Sequence, residues 1–192
     1  MITVEFPGCR KLIDAIDASV AQPTTPKITD TLRTSLCELI RSREVELPAC
    51  VLETAGDHYA RRELYRSDEH GYSVVAMTWG PGQGTLIHDH SGMWCVEGVW
   101  NGALEIVQYE LLGHDSDRYQ FRPVGSIQAG PGSAGSLIPP HEYHTIRNPS
   151  GDSVAVSLHI YSGRMTQCAV FNPEGDDWYH RSERQLGLDQ VH

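Results

Sequence analysis

The chain has 192 residues, 40% of them apolar and 21% charged, enough for one domain with a full core and ordinary for a globular protein. Its formal charge of -10 argues against a nucleic-acid binder, which needs a basic stripe to displace counterions from phosphate. The same charge argues against an anionic membrane surface as partner, and a small anionic ligand would have to find a local cation.

The N-terminal stretch MITVEFPGCRKLIDAI has neither a signal-length apolar core nor a cleavage pattern. No apolar run is long enough to span a bilayer. The five cysteines (Cys9, Cys37, Cys50, Cys95 and Cys168) are scattered and form no CxxC pair. That pattern excludes a zinc ribbon and fits a reducing cytoplasm better than a disulfide framework. Most of these thiols are expected to be buried as small hydrophobes.

Residues 10–21 and 29–42 carry helical spacing, with Leu12, Ile13 and Ile16 on one face of the first and Leu32, Leu36, Leu39 and Ile40 on one face of the second. Thr29 or Asp30 is the expected cap of the second helix, with Pro23 and Pro26 breaking the chain between the two. From about residue 50 the texture turns to short β-rich runs separated by Gly, Pro and Asn. Strands are expected over 59–65, 72–79, 85–90, 93–100, 104–111, 119–123, 136–138, 154–161 and 168–171. Asn101-Gly102 between two apolar runs signals a hairpin, because both residues tolerate positive φ. Many short strands with frequent turns indicate a mainly β fold, a sandwich or barrel rather than βαβ units. The expectation is a single domain: helices in 1–50, a small β-barrel over 51–175, and a polar tail over 176–192 that folds over the barrel or stays mobile.

The sharpest motif is His88-Asp89-His90. In a strand, residues two apart share a face, so both imidazoles could reach one metal while Asp89 points away. Gly82 stands six positions before His88, and Gly102 closes the following hairpin. Downstream, the stretch 139–148 carries His144 with Asn148 four residues later; His141 is the rival ligand in the same loop. Two neighbouring histidines on a strand are more often solvated than liganded, so the second motif carries the weight. The histidines at 58, 70, 114, 180 and 192 read as surface residues. Trp79, Trp94, Trp100 and Trp178 read as core or rim packing, and Glu105 has no assignable role.

These motifs resemble those of the cupin superfamily, G-x5-H-x-H-x3,4-E-x6-G followed by H-x3-N, which implies a jelly-roll-like small barrel. Cys95 occupies the place of the acidic ligand, so three neutral histidines, His88, His90 and His144, remain. Imidazole alone does not choose among zinc, copper, iron and nickel.

With Cys95 in that place and Ser157-Leu158-His159-Ile160-Tyr161 further on, the chain resembles the cysteine dioxygenase family over roughly residues 59–171. The resemblance implies a single mononuclear iron(II) held by His88, His90 and His144, and oxidation of a small thiol by O2 to its sulfinate, L-cysteine first. It implies Tyr161 as active-site tyrosine, with His159 and Ser157 hydrogen-bonded behind it. Tyr59-Ala60-Arg61 matches the family's Tyr-x-Arg element, with Arg61 gripping the substrate carboxylate. It also raises a thioether between Cys95 and Tyr161. The family's Ser-Pro-Pro turn is replaced by Ser162-Gly163-Arg164. Arg164 and Arg62 would be second cations for a dicarboxylate thiol such as mercaptosuccinate; 3-mercaptopropionate is a further alternative. From other classes, a non-catalytic metal-binding cupin and a zinc hydrolase or isomerase on the same histidines stay open. Oligomeric state is not legible.

Overall fold

The computed structural model describes residues 4–191. Two helices, α1 (Cys9–Val20) and α2 (Thr25–Ser42), and a short 3-10 turn (Ala49–Leu52) precede eleven strands. The strands are β1 (Ala60–Ser67), β2 (Tyr72–Trp79), β3 (Ile87–His88), β4 (Cys95–Asn101), β5 (Leu104–Asp115), β6 (Arg118–Ala129), β7 (Ala134–Leu137), β8 (His144–Arg147), β9 (Ala155–Tyr161), β10 (Gln167–Gly175) and β11 (Trp178–Gln185). Every strand pairing is antiparallel. One sheet has the order β1-β2-β9-β4-β7, and the other, β10-β11-β6-β5-β8-β3, returns from β3 to β10. This is the mainly β, jelly-roll-like cupin architecture that the sequence indicates.

The first sheet is buried on both faces, which is why β2 and β9 read as nearly continuous apolar runs. Val74, Ala76, Val96, Val156, Leu158 and Ile160 turn outward onto the helices and join Leu12, Ile13, Ile16, Leu32 and Leu36 in one core. The alternate residues, among them Val75, Met77, Trp79, Cys95, Val99 and Tyr161, turn inward and form a second core between the sheets. Period-two alternation thus assigns each residue of β2, β4 and β9 to the helix side or to the barrel interior.

Besides changes in strand length, such as β3 at two residues and β5 extended to Asp115, three elements differ from expectation. The second helix starts earlier, at Thr25, with Pro26 inside its first turn. The missing N–H costs nothing there, so proline starts this helix rather than blocking it. Thr29 is consequently no cap: it is buried, and its hydroxyl donates back to the Thr25 carbonyl at 3.0 Å. The strand expected over 119–123 extends through Arg118–Ala129, with Pro123 beside an irregularity in its register with β5. The polar stretch after residue 176 contains β11, which pairs with both β10 and β6. Beyond it, the backbone of Asp189 donates to the Arg61 carbonyl at 2.7 Å, and its carboxylate accepts from the Arg61 N–H at 2.8 Å. The tail therefore lies along β1. His192 lies outside the described residues, and among the described residues no helix is long and apolar enough to cross a membrane.

The helices dock at one tight point. A Cβ placed on Gly98 of β4 would meet Leu36 Cδ2 at 2.7 Å and Ile40 Cδ1 at 3.0 Å, and both side chains are in the core. Gly98→Val is expected to destabilise the protein by about 1–3 kcal/mol through overpacking. Urea unfolding checks this, and an unchanged midpoint would show that α2 yields without cost.

Candidate metal centre

The centre depends on a short piece of ladder. β3 is only two residues long, yet it pairs on one side with β10 and on the other with β8, where His88 stands opposite His144. His90 follows two residues later, just past the end of β3. The loop after β8 is tied down by Asn148, whose amide donates to the carbonyls of Trp79 at 2.9 Å and Ser153 at 2.7 Å. The candidate ligand atoms of His88, His90 and His144 all lie within 4.8 Å of one another, and the ring centroids are 4.5–5.2 Å apart. His141, the rival, is exposed.

Hydrogen bonding orients two of the three rings. His88 Nδ1 meets the Leu86 carbonyl at 3.1 Å and His144 Nδ1 meets the Glu142 carbonyl at 2.9 Å. A carbonyl only accepts, so each Nδ1 carries the proton and Nε2 keeps its lone pair. Burial pushes the His88 imidazolium down to about 3 and that of His144 to about 4. It drives His90 well below the usual histidine range as well, with help from the adjacent imidazoles. All three rings are therefore neutral near pH 7, the state in which imidazole ligates metal. His144 Nε2 and His90 Nδ1 are buried without a hydrogen-bond partner. One ring nitrogen from each of the three histidines within 4.8 Å of the others, with buried nitrogens left unpartnered, fits a divalent cation.

Beside this cluster runs a polar chain along the inward face of β9. Trp79 Nε1 donates to Ser157 Oγ at 2.8 Å, Ser157 Oγ lies 2.8 Å from His159 Nε2, and His159 Nδ1 lies 3.4 Å from the Tyr161 hydroxyl. Indole can only donate, so the serine hydroxyl accepts there and can donate onward to His159 Nε2. His159 then presents its Nδ1–H towards Tyr161. Burial and the adjacent Cys95 hold the Tyr161 phenol well above its ordinary pKa, and burial and Glu97 do the same for the Cys95 thiol. Cys95 and Tyr161 are directly opposite in the β4–β9 register.

The alternation that turns Cys95 inward also turns Glu97 inward, a residue that the motif reading passes over. Its Oε2 is 3.4 Å from His159 Nδ1 and 3.8 Å from His144 Nε2 and makes no hydrogen bond. Burial alone raises its carboxyl to about 7. The signal was present in the sequence: with Cys95 and Val99 inward, position 97 must be inward too.

Arg61 and Tyr59 do reach the site. They line a small pocket with His88, His159 and Tyr161, and Tyr59 stacks on Trp79 with centroids 4.5 Å apart. Arg61 is buried, and its guanidinium donates to the backbone carbonyls of Gly187 at 2.9 Å and Met165 at 3.3 Å. Arg62, a candidate second cation, is next along β1 and donates to Thr78 Oγ1, the Glu53 carbonyl and the Gln190 carbonyl. Arg164 is exposed. Arg184 of β11, not anticipated from sequence, lies over the Tyr59 ring at 5.8 Å from its centroid.

These placements separate ligand from neighbour. His144→Ala is expected to abolish stoichiometric binding of a divalent transition metal, while His141→Ala retains it. Equilibrium dialysis with metal analysis reads both, and equal loss in the two variants would remove His144 from the ligand set.

The cysteine dioxygenase type I family profile matches residues 54–174, more than half of the chain. Cysteine dioxygenase type 1 of Danio rerio is 27% identical over 114 residues, covering 58% of this chain and 55% of that protein. The protein of the same name from Rattus norvegicus is 23% identical over 111 residues, covering 58% and 54%. The chain thus spans about half the length of the curated relatives it matches. A Thermus thermophilus protein of known structure superposes with a TM-score of 0.46 at 20% identity, covering 59% of this chain and 91% of that one. On the profile match, this chain belongs to the cysteine dioxygenase type I family.

Proposed function

We propose that the protein is an iron(II) thiol dioxygenase in which His88, His90 and His144 hold the metal. The observation that carries this reading is the meeting of three neutral, converging imidazoles with the Ser157–His159–Tyr161 chain inside one barrel. The reaction joins both atoms of O2 to the sulfur of a small thiol and gives the sulfinic acid, a state that cells do not readily reverse. L-Cysteine is the first substrate to test.

Iron(II) bound there would hold thiolate and dioxygen side by side, turning a bimolecular encounter into a local one. The protein's own residues do the rest. Burial keeps Tyr161 protonated, so its hydroxyl can donate to negative charge developing on the oxygens joined to sulfur. His159, fixed through Ser157 by the indole of Trp79, holds the orientation of that hydroxyl. Arg61 offers a planar fork of donors that suits a carboxylate, and a substrate carboxylate would compete there with the Gly187 and Met165 carbonyls. The commitment of Arg62 to Thr78, Glu53 and Gln190 argues against a dicarboxylate thiol. The opposite register positions of Cys95 and Tyr161 support a thioether between them, and an intact mass short by two hydrogen atoms would mark it.

Oxygen uptake by anaerobically iron-loaded protein is expected with at least one small thiol, with one sulfinate formed per O2. Metal binding without uptake for any thiol would leave a binding protein instead. Tyr161→Phe is expected to keep stoichiometric iron and lose about 100–1000-fold in kcat, the range expected when a single positioned donor is removed. Iron loss in that variant would make the tyrosine structural.

A further inference from the structure

Arg61, the cation proposed above for the substrate carboxylate, is only 4% exposed, and the segment that follows β11 is what lies across it. The Leu186 N–H donates to the Thr166 carbonyl at 2.8 Å and fixes the start of that segment. Beyond it, the Gly187 carbonyl accepts from Arg61 Nη1 at 2.9 Å. Asp189 is the latch: its carboxylate accepts from the Arg61 backbone N–H at 2.8 Å and lies 3.0 Å from His58 Nε2. The Gln190 carbonyl accepts from Arg62 Nε at 3.1 Å. Residues 187–190 thus form a strap over the arginine that faces the candidate centre.

Closed in this way, the site has no room for its reactant. The pocket that Arg61 shares with His88, His159 and Tyr161 measures about 20 Å³, space for roughly one water, and L-cysteine is several times larger. Two hollows flank the strap, about 180 Å³ on the side of His58 and about 140 Å³ on the side of Arg164. Arg61 and Leu186 line all three spaces, so lifting the strap would join them. Little apolar burial opposes that motion: Leu188 is 42% exposed, and Gly187 and Gln190 are exposed as well. Segments held by few buried contacts are the first to open.

We infer that residues 187–190 are an autoinhibitory gate, displaced when a carboxylate-bearing substrate takes the place of the Gly187 carbonyl on Arg61. The exchange favours an acid, because a carboxylate makes stronger, charge-assisted hydrogen bonds to guanidinium than a neutral carbonyl does. The inference rests on the proposed thiol oxidation for the identity of that substrate. The cover that the strap gives Arg61 is independent of it.

Phenylglyoxal, which modifies guanidinium groups, tests the gate without any thiol. In the intact chain the buried Arg61 should react slowly and the exposed Arg184 fast, as mapped by peptide mass spectrometry. Asp189→Ala should speed modification of Arg61 by about fivefold, the effect of one lost hydrogen bond on an open population, and leave Arg184 unchanged. His58→Ala, an exposed change, breaks the same latch and tests the gate even where Asp189→Ala fails to fold. The double variant should do no more than Asp189→Ala alone. With iron-loaded protein kept anaerobic, Asp189→Ala should lower the dissociation constant for L-cysteine by about fivefold, because the open fraction sets the apparent affinity. Bound L-cysteine should also speed hydrogen exchange at the Asp189 amide, which donates to the Arg61 carbonyl. Equal modification of Arg61 in the parent chain and both variants would overturn the inference. Slower exchange at Asp189 with L-cysteine bound would overturn it too, as the mark of a lid that closes over substrate. If L-cysteine neither binds nor is oxidised, its assignment as substrate fails, and phenylglyoxal still decides whether the strap gates Arg61.

Discussion

The pairing of β3 with β8 is the constraint on which the centre depends. Two residues of strand, Ile87 and His88, are clamped between β10 and β8, and that register alone sets His88 opposite His144. A one-residue slip would turn His88 out of the barrel and bring Ile87 into its place. The protein guards the register from outside the ladder. Thr85 Oγ1 accepts from the Ile146 N–H at 3.1 Å, while the Thr85 N–H donates to the Ile146 carbonyl at 2.9 Å. Asp89, the residue between the two histidines, accepts from the Ala169 N–H at 2.9 Å and so fixes the chain on its other flank. The acid in the middle of the His-x-His motif is thus a structural tie to β10.

Much of the centre is legible in the sequence because its geometry follows from local periods. The shared face of His88 and His90, and of Ser157, His159 and Tyr161, follows from period-two alternation; that His144 with Asn148, and the Ser157–His159–Tyr161 face, belong to the centre is what the family resemblance implies. Asn148 then holds the loop after β8 by donating to three carbonyls, all within 3.3 Å. What stays hidden is non-local. β11 is polar along much of its length, and its partners, β10 and β6, are what make it a strand. The occupation of Arg61 by the Gly187 and Met165 carbonyls requires the tail to lie along β1, which no pattern within 176–192 announces. Pro26 misleads for a simpler reason: proline breaks a helix interior and initiates a helix start, and composition does not distinguish the two.

Electrostatics explains why the interior tolerates so many polar groups. Three imidazoles, His159, Glu97, Cys95 and Tyr161 share one low-polarity space, and burial pushes each towards its neutral form. Ionising one of them without a partner would cost several kcal/mol. Neutrality lets the cluster fold without a counter-charge, but it leaves the lone pairs of His144 Nε2, His90 Nδ1 and Glu97 Oε2 unsatisfied. A divalent cation held by His88, His90 and His144, as proposed above, would occupy their lone pairs, favour an ionised Glu97 beside it, and stabilise the folded state that binds it.

That coupling bears on how the thiol proposed as substrate would sit at the centre. A metal facing three neutral ligands keeps its full charge and attracts any anion, carboxylates included. Glu97, 3.8 Å from His144 Nε2, offsets part of that charge on one side of the centre. Arg61 and Arg184 add to it on the other. The surroundings of the cluster therefore differ in charge: the Glu97 carboxyl lies beside His144 and His159, while the Arg61 and Arg184 guanidinium groups share a pocket with His88 and Tyr161. In the thiol dioxygenase proposed above, that asymmetry would orient an acidic substrate with its carboxylate towards Arg61 on β1 and away from Glu97 on β4.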